Sequence, residues 1–445
     1  MDMLFHSTNG NINDVTLPAA VVNGLAADGG LFMPCKLPPL PKAFYNNISE
    51  MSLTEIGYVV CNTLMGDFLS SEKIKMLVNS ALDFPVPVKK FGSREGLYVM
   101  EMFHGPTLSF KDVGARFMAR LLPLLVPGRK KFTILLATSG DSGGALAAAF
   151  SDNPDAKVVI LYPRGELSRE HLSMFTSYPR VTAVEVGGTF DDCQALVKHA
   201  LLDPSLNDAV PLTSGNSINL ARQLTSVIYY FHAYARAMEL RPDVKDVVIA
   251  VPCGNLGNLS AALMAKKMGL PVSRIVGANN ANDTFVEYLQ TGDIRPRRAL
   301  ITMARAMDVG NPSNLARIID LYGDNLDELR HDVEGKAFSD IEIVRAIRDI
   351  YAETGEILDP QSATAFRALD GYGNGSQTAI FLATGHPAKF PRAITEAIGS
   401  PVMMPHDGHF SGEHHMRRQP EAQGASMHMI PPTAAALTRI ITTLK

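Results

Sequence analysis

Short apolar runs alternate with helix-prone stretches through the middle of the chain. Runs of four to eight apolar residues bounded by Gly, Ser or Asn are typical of strands buried on both faces. A helical stretch follows the first four such runs, and repetition of strand, tight turn and helix predicts an α/β fold with parallel sheets. Ser339 and Glu342 have the spacing of a capping box, so we expect a helix to begin near Ser339. The predicted strands are residues 132–137, 157–162, 182–186, 247–251 and 378–383, and one that begins at Arg274.

The two ends of the chain break this pattern. Prolines interrupt the first ninety residues, and helical periodicity dominates residues 51–81. We therefore predict a mostly helical N-terminal domain over residues 1–90, an α/β region over residues 91–400, and a C-terminal loop with a terminal helix over residues 401–445.

The bulk composition narrows the classes of partner. The 445 residues carry a formal charge of -4, with 46% hydrophobic and 19% charged residues. This balance gives no electrostatic reason to expect nucleic acid or a membrane surface as a partner. The four cysteines are far apart, so we expect no disulfide scaffold and a reducing, cytoplasmic location. A monomer and a homo-oligomer both stay open.

The first candidate for chemistry is Lys111, in the segment FHGPTLSFKD. Apolar neighbours at Phe103, Leu108 and Phe110 would remove water from its amine. Desolvation lowers the pKa of a lysine and makes its neutral form available as a nucleophile or base. The alternative is a surface lysine beside a helix that starts at Asp112.

The second candidate is the turn ATSGDSGG, residues 137–144, between a predicted strand and a predicted helix. Hydroxyls and free backbone N–H groups at a helix N-terminus suit an anion such as a substrate carboxylate. Residues 140–144 also spell GDSGG, the nucleophile sequence of chymotrypsin-like proteases. Those enzymes are β-barrels, whereas this stretch opens a helix in an α/β pattern, so the context argues against a protease.

Two further turns follow predicted strands. Residues 254–258, GNLGN, place glycines ahead of a helix, where backbone N–H groups can hold a phosphate, although a plain tight turn is an equal alternative. Thr384, at the end of the last strand, places a hydroxyl where open α/β sheets bind ligands, or it caps the next turn.

In combination and in this order, these segments resemble the threonine synthase family, within the fold type II enzymes that depend on pyridoxal phosphate. The resemblance runs nearly from end to end. Its blocks in this chain are STNGN (7–11), ADGGLFMP (27–34), HGPTLSFKD (104–112), ATSGDSG (137–143), NSIN (216–219), CGNLGN (253–258), MDVGNPSN (307–314) and ATGHPAKF (383–390).

The resemblance implies two open α/β subdomains, with pyridoxal 5'-phosphate between them and Lys111 as the catalytic Schiff-base lysine. It implies that O-phospho-L-homoserine, a small molecule, and water are converted to L-threonine and phosphate. The implied cofactor contacts, besides Lys111, are Gly254, Asn255, Leu256, Gly257 and Asn258 around the phosphate and Thr384 at the pyridine nitrogen. The implied substrate contacts are Thr107, Ser139, Gly140, Asp141, Ser142, Asn216, Ser217, Asn219, Arg222 and Lys389.

Glu166 departs from the family pattern, because a lysine is usual there, and the reversed charge leaves the substrate-phosphate contacts open. Two alternatives to the implied reaction are a phospholyase that releases 2-oxobutyrate and a binding protein without catalysis, although the latter would not need Lys111. We expect no metal site: the histidines between His406 and His415 lie in a polar stretch that predicts a solvated loop.

Overall fold

The strands of the α/β region form two open sheets. The computed structural model describes residues 3–128, 131–244, 246–323, 325–403 and 424–444. The strands are β1 (Phe5–Ser7), β2 (Phe32–Pro34), β3 (Val88–Lys90), β4 (Leu97–Glu101), β5 (Phe132–Ala137), β6 (Ala156–Pro163), β7 (Val181–Val186), β8 (Leu212–Ser214), β9 (Val247–Cys253), β10 (Arg274–Asn279), β11 (Val333–Ala337), β12 (Thr378–Ala383) and β13 (Ser426–Ile430).

One sheet has the order β11-β10-β9-β12-β4-β3, and the other has the order β13-β7-β6-β5-β8. All neighbours in the second sheet are parallel. In the first sheet only β3 runs antiparallel to its neighbour. The expected α/β fold with two open, mainly parallel sheets is therefore confirmed.

The predicted strands lie where the apolar runs placed them. Strands β5 and β12 have the predicted bounds, β7 and β9 are longer by one or two residues at one end, and β6 is longer by one residue at each end. Every residue of β5, β9 and β12 is buried, which explains why these strands are continuous apolar runs in the sequence.

Helices cover the faces of both sheets. They are α1 (Leu17–Asn23), α2 (Lys42–Asn47), α3 (Leu53–Met65), α4 (Ser71–Ala81), α5 (Lys111–Leu125), α6 (Asp141–Phe150), α7 (Arg169–Thr176), α8 (Phe190–Leu202), α9 (Pro204–Ala209), α10 (Leu220–Leu240), α11 (Gly257–Lys267), α12 (Thr284–Thr291), α13 (Leu315–Tyr322), α14 (Leu326–Asp332), α15 (Asp340–Thr354), α16 (Pro360–Ala368), α17 (Pro391–Ile398) and α18 (Ala434–Thr442). Short 3-10 helices lie at Ile48–Glu50, Arg305–Met307 and Pro387–Lys389.

The predicted capping box at the start of α15 is present. The Glu342 backbone N–H donates to the Ser339 hydroxyl, and the Glu342 carboxylate accepts from the Ser339 backbone N–H at 2.8 Å. This exchange satisfies two backbone donors that a helix start leaves free. The GDSGG stretch opens α6, as its α/β context predicted, and it does not lie in a β-barrel.

The secondary-structure elements of the first eighty residues are mostly helices, as expected, with a small antiparallel pair, β1 with β2. Apolar residues of α3 and α4 belong to the same core as those of α5 and α10. The boundaries at residues 90 and 400 stay predictions.

The C-terminal segment differs from expectation. Besides the predicted terminal helix, now α18, residues after 423 form β13, which extends the second sheet in parallel with β7. Four of its five residues are exposed, so it has no buried apolar run to mark it in the sequence. The histidines between His406 and His415 lie outside the described residues. Among the described helices, none has the length and apolar character needed to cross a membrane.

Candidate active site

Three loops that follow strands of the first sheet meet at one edge. Strand β12 lies between β9 and β4 and is parallel to both. The carboxyl ends of parallel strands meet at the same edge of a sheet, which is where open α/β sheets bind ligands. The loop after β4 leads to Lys111, the loop after β9 contains residues 254–258, and Thr384 follows β12 directly. All three line one pocket.

Lys111 is the first residue of α5 and lines this pocket. Its Nζ atom lies 5.5 Å from the centre of the Phe110 ring. Burial lowers the pKa of Lys111 to about 8; the Asp141 carboxylate acts in the opposite direction, and the cations of Arg222 and Lys389 add to the lowering. A sizeable fraction of the amine is therefore neutral near neutral pH, as the apolar neighbours predicted. The alternative of a surface lysine is not what the structure shows.

The loop of residues 254–258 leads into α11. Leu256 has a φ of 57°, the left-handed conformation, just before the helix begins at Gly257. A Cβ atom at Gly254 would lie 2.9 Å from the Ala306 carbonyl oxygen, so only glycine lets the loop approach that backbone. The free N–H groups and the dipole at the start of α11 favour an anion here.

Asn258 supplies a second donor at the same end of α11. The Tyr230 hydroxyl donates to its side-chain oxygen at 2.7 Å and to its backbone oxygen at 2.9 Å. The side-chain nitrogen of Asn258 is buried and has no partner among the described residues. A buried donor without an acceptor is costly, and a phosphate oxygen in the pocket would satisfy it.

Thr384 ties the end of β12 to the loop that carries Lys111. Its carbonyl oxygen accepts from the Phe110 N–H at 3.0 Å, and its own N–H donates to the Ser362 hydroxyl at 3.2 Å. The Ser362 hydroxyl in turn donates to Asp359. Burial raises the pKa of Asp359 to about 7, against hydrogen bonds from Ser362 and Gln361 that lower it. This chain of contacts fixes the position at which Thr384 presents its side chain to the pocket.

The opposite wall is built by loops that follow the second sheet. Strands β5 and β8 are parallel neighbours, so the turn of residues 138–142 and the loop of residues 215–219 also share an edge. The Asn216 side-chain amide pairs with the Ala137 backbone, accepting from its N–H at 2.9 Å and donating to its oxygen at 2.7 Å. The Thr138 hydroxyl accepts from the N–H groups of Gly140 and Gly143. These bonds fix the shape of the turn.

The structure brings most of the predicted contacts into this one pocket and leaves four outside it. The predicted residues that line it are Lys111, Gly254, Asn255, Leu256, Gly257, Asn258, Thr384, Ser139, Asp141, Ser142, Asn216, Ser217 and Arg222. The predicted residues that do not line it are Thr107, Gly140, Asn219 and Lys389.

Lys389 is buried in an ion pair and does not line the pocket with Lys111. Its amine bonds the Asp141 carboxylate and donates to the Thr107 oxygen at 3.1 Å. Its side chain is only 2% exposed and that of Asp141 only 5%. Burial by itself would raise the pKa of Asp141, but Lys389 and His171 hold it well below its usual value. Lys389 thus acts on the turn through Asp141, which the sequence could not show.

The other three exceptions are also structural contacts. The Thr107 hydroxyl and N–H donate to the Asp112 carboxylate at 2.6 and 2.8 Å. The Asn219 amide donates to the backbone oxygens of Val21 and Ser214, and its side chain caps α10. Gly140 has a φ of 133°, and a Cβ there would lie 2.5 Å from the His171 ring. These positions shape the site from behind.

Arg222 lies in α10 and faces the pocket. Its Nη1 donates to the Gly215 oxygen at 2.7 Å, and its buried Nε has no partner among the described residues. Burial lowers the pKa of Arg222 to about 10, while Asp112 raises it. A cation with a spare donor agrees with its predicted role toward a substrate anion.

Glu166 lines a neighbouring pocket of about 400 Å³, together with Arg305 and Arg392. Burial raises the pKa of Glu166, and the cations of Arg305 and Arg298 lower it. The reversed charge at this position is therefore met by arginines, which the sequence pattern did not reveal.

The residues that sequence reasoning missed include one that lines the pocket and two that lie behind it. Gln361 lines it beside Thr384, is 3% exposed, and has a side-chain nitrogen without a partner among the described residues. Asp112 is buried directly after Lys111, and burial raises the pKa of Asp112 to about 6 against hydrogen bonds from Thr107. Asn314 holds the loop of residues 254–258 from behind. Asp112 and Asn314 lie within the sequence blocks that carry the resemblance. Those blocks marked both positions, but the sequence did not indicate what either residue does.

The pocket fits the pyridoxal phosphate that the resemblance implies. A desolvated lysine, an anion-binding helix start with the spare Asn258 donor, and a hydroxyl at Thr384 are the groups that its aldehyde, phosphate and ring nitrogen need. Among the described residues, no cluster of His, Cys, Asp or Glu is arranged to hold a metal ion.

Comparisons with known proteins agree with this geometry. Residues 82–385 match the family of pyridoxal-phosphate dependent enzymes. Residues 4–82 match the threonine synthase N terminus, and residues 362–427 match the threonine synthase C-terminal family. The chain is 40% identical to threonine synthase of Haemophilus influenzae over 88% of this chain and 90% of that protein. It is 38% identical to threonine synthase of Escherichia coli over 91% and 93% of the two chains.

Solved structures give the same result. The crystal structure of threonine synthase from Escherichia coli superposes with a TM-score of 0.90 at 35% identity and covers 100% of both chains. A structure of pyridoxal-phosphate-bound threonine synthase from Brucella melitensis gives 0.87 at 29% identity, with 99% of both chains covered. From the site and from these matches, we conclude that this chain belongs to the threonine synthase family of pyridoxal-phosphate-dependent enzymes.

Proposed function

We propose that this pocket converts O-phospho-L-homoserine and water to L-threonine and phosphate, with Lys111 as the Schiff-base lysine. The observation that carries the proposal is the placement of Lys111, with its pKa lowered to about 8, in one pocket with the glycine loop after β9 and with Thr384. A plain binding site would need the loop and the hydroxyl but not a neutral amine.

Different residues of the pocket bind different parts of the cofactor in this proposal. The loop of residues 254–258 would hold the phosphate through its backbone N–H groups and the side-chain nitrogen of Asn258. The Thr384 hydroxyl would hydrogen-bond the ring nitrogen and, being neutral, would not favour its protonation. When bound, pyridoxal phosphate supplies an electron sink for negative charge on the carbons next to the substrate amine.

Lys111 moves protons in this proposal. A lysine whose pKa is about 8 is a workable base near neutral pH, since the neutral fraction is large enough and the conjugate acid still returns the proton. We assign to its Nζ the removal of the proton from the substrate Cα and, once the amine has released that proton, the removal of a proton from Cβ. After phosphate has left Cγ, the protonated amine returns a proton to Cγ. Water then adds its oxygen to Cβ and gives up a proton, and a proton returns to Cα to complete threonine.

The opposite wall binds and orients the substrate. Ser139, Ser142 and Arg222 line the pocket with hydroxyls and a cation that suit the substrate's carboxylate and phosphate. Asn216 and Asp141 shape that wall through the Ala137 backbone and through Lys389. We therefore assign Lys389, Thr107, Gly140 and Asn219 to positioning. The four cysteines are free, which fits a proposed location in the reducing cytoplasm.

Product analysis tests the proposal. The purified protein is reconstituted with pyridoxal phosphate, its visible absorbance is recorded, and O-phospho-L-homoserine is added. We expect a visible cofactor band and equal amounts of threonine and phosphate. Phosphate released with 2-oxobutyrate instead of threonine would replace the proposal with the phospholyase. A protein that takes up no cofactor would contradict both.

A further inference from the structure

Arg317, in α13, is a fully buried arginine behind the loop of residues 254–258. Its exposure is 0%. Among the described residues, no carboxylate lies within ion-pair distance of its guanidinium, whose partners are all oxygens of the backbone or of an amide. Burial lowers the pKa of Arg317 to about 9, and Asp320 acts against this. Burying a cation without a counter-ion is costly, so its contacts call for an explanation.

The guanidinium joins three parts of the chain. Its Nη1 donates to the Ser217 oxygen at 2.8 Å and to the Asn314 side-chain oxygen at 2.6 Å. Its Nη2 donates to the Ile218 oxygen at 2.6 Å and to the Phe32 oxygen at 3.4 Å. One side chain thus holds the loop after β8, the residue before α13, and the N-terminal strand β2.

The contact with Asn314 decides which way that amide faces. A guanidinium has only donors, so the atom of Asn314 that faces Arg317 must be its oxygen. The Asn314 nitrogen is then turned to the other side, where it donates to the Asn255 backbone oxygen at 2.7 Å and to the Ser217 hydroxyl at 3.0 Å. The Asn255 oxygen, an acceptor, also favours this orientation, and the guanidinium reinforces it by holding the Asn314 oxygen on the opposite side.

The Asn255 carbonyl in turn orients the phosphate loop. In a planar trans peptide the C=O and the following N–H point in opposite directions. Holding the Asn255 oxygen against Asn314 therefore directs the Leu256 N–H away from Asn314, and Leu256 lines the pocket. The Ser313 N–H also holds the Asn255 side-chain oxygen at 2.6 Å, which fixes the same residue a second time.

We infer that Arg317 is a positioning residue for the cofactor phosphate: acting through Asn314 and the Asn255 carbonyl, it keeps the N–H groups of residues 254–258 directed at the phosphate. The inference rests on the proposed assignment of that loop. It also connects strand β2 to cofactor affinity, because the Phe32 oxygen shares the same guanidinium.

The test compares two probes that differ only in the phosphate. Dissociation constants of the apoprotein are measured for pyridoxal phosphate and for pyridoxal, by the absorbance that each develops on binding. We expect Arg317→Met to raise the dissociation constant of pyridoxal phosphate by about 10- to 100-fold. This is the range for loss of hydrogen bonds to a charged group. The dissociation constant of pyridoxal, which lacks the phosphate, should change by less than about 3-fold.

Arg236 provides a control that shares the contacts to backbone oxygens, although it is partly exposed and pairs with Glu239. It also joins α10 to the N-terminal region through backbone oxygens, at 2.9 Å to Ser49 and 2.8 Å to Met51, but it does not line the pocket. Arg236→Met should leave both dissociation constants unchanged. Equal weakening of both probes in Arg317→Met would overturn the inference, since it would show a general structural defect, and so would unchanged affinity for pyridoxal phosphate.

A second variant covers the case in which Arg317→Met does not fold. In Asn314→Asp the new carboxylate gives Arg317 a counter-ion but cannot donate to the Asn255 oxygen. The contact from Arg317 through residue 314 to the Asn255 carbonyl is thus broken without leaving a buried cation unpaired. We expect it to unfold no more easily than the parent and to bind pyridoxal phosphate about 10-fold more weakly. Normal affinity in this variant would overturn the inference. If the parent protein binds both probes equally, the assignment of the phosphate loop fails instead.

Discussion

The two walls of the pocket satisfy their polar groups in different ways. On the wall built by the first sheet, Asn258 and Gln361 keep buried side-chain nitrogens without partners among the described residues. On the wall built by the second sheet, Asn216 and Asp141 have their hydrogen-bonding atoms engaged by the Ala137 backbone and by Lys389. Arg222 is the exception on that wall, because its Nε is unpartnered.

This difference indicates what each wall is for. Buried donors are costly unless a ligand satisfies them, so unpartnered nitrogens indicate where a tightly held ligand belongs. A wall whose groups satisfy one another keeps its shape with or without a ligand, which suits a substrate that enters and leaves in each cycle. We therefore interpret the first wall as the cofactor side and the second as the substrate side, and the experiments below test this division.

Substitution of Lys111, the proposed reactive residue of the cofactor wall, should have the largest effect on cofactor binding and turnover. Lys111→Ala removes both the amine that anchors the cofactor and the proposed base. We expect the loss of the visible cofactor band and a fall in kcat of at least about 10³-fold, as is typical when a general base is removed. The measurements are absorbance after reconstitution and single-turnover formation of threonine.

An exposed lysine controls for loss of charge alone. Lys73→Ala in α4 removes an exposed cation that does not line the pocket and should leave both readouts unchanged. A Lys111→Ala protein that keeps the band and its turnover would place the chemistry on another residue and end the assignment of this wall.

The sequence predicted the cofactor wall better than the substrate wall, for a physical reason. Buried parallel strands are apolar runs, and the residues that follow them must meet at one edge, so Thr384 and residues 254–258 could be placed without coordinates. The Asp141–Lys389 pair joins residues 248 positions apart, and no local pattern encodes such a pairing. The sequence therefore could not show that Lys389 pairs with Asp141, and its predicted contact with substrate stays a prediction. Strand β13 was missed because it is exposed.

The second experiment breaks the substrate wall at that ion pair. Asp141→Asn leaves the Lys389 amine buried without its counter-ion, which costs about 3–5 kcal/mol when a buried pair loses one partner. We expect the free energy of unfolding of the apoprotein to fall by this amount at neutral pH, measured with urea. Asp327→Asn breaks an exposed pair with Arg330 and should cost less than about 1 kcal/mol.

The pH dependence of the same variant provides a check of sign. The pKa of Asp141 is lowered in the folded protein, so its stabilisation is present above the ordinary value of 3.8 and is lost as the pH falls below it. The difference in stability between the parent and Asp141→Asn should therefore shrink below pH 3.8. A difference that grows with acidity would mean that this carboxylate is not stabilised by Lys389.

The third experiment returns to the cofactor wall with a single methyl group. A Cβ at Gly254 would lie 2.9 Å from the Ala306 oxygen and 2.9 Å from the Met307 Cα, so the loop has to move. We expect Gly254→Ala to weaken the binding of pyridoxal phosphate by about 10- to 100-fold, because small displacements at a closely fitted site have effects of this size. Gly187→Ala, whose Cβ would meet no atom closer than 3.7 Å, is the control and should bind normally. Equal affinities of the two variants for pyridoxal phosphate would show that Gly254 does not form part of the cofactor site.

The smallest effect tests whether the two walls act on one another. Cofactor uptake needs the neutral amine of Lys111, so its rate should rise with pH around a midpoint of about 8. Arg222, on the substrate wall, lowers the pKa of Lys111 by charge repulsion, although burial is the larger cause. In Arg222→Gln this repulsion is absent, so the pKa of Lys111 should rise and the midpoint should move to higher pH. Stopped-flow absorbance of the apoprotein with pyridoxal phosphate, with Arg236→Gln as the control, measures the shift. A midpoint that stays in place, or moves to lower pH, would mean that Arg222 does not lower the pKa of Lys111.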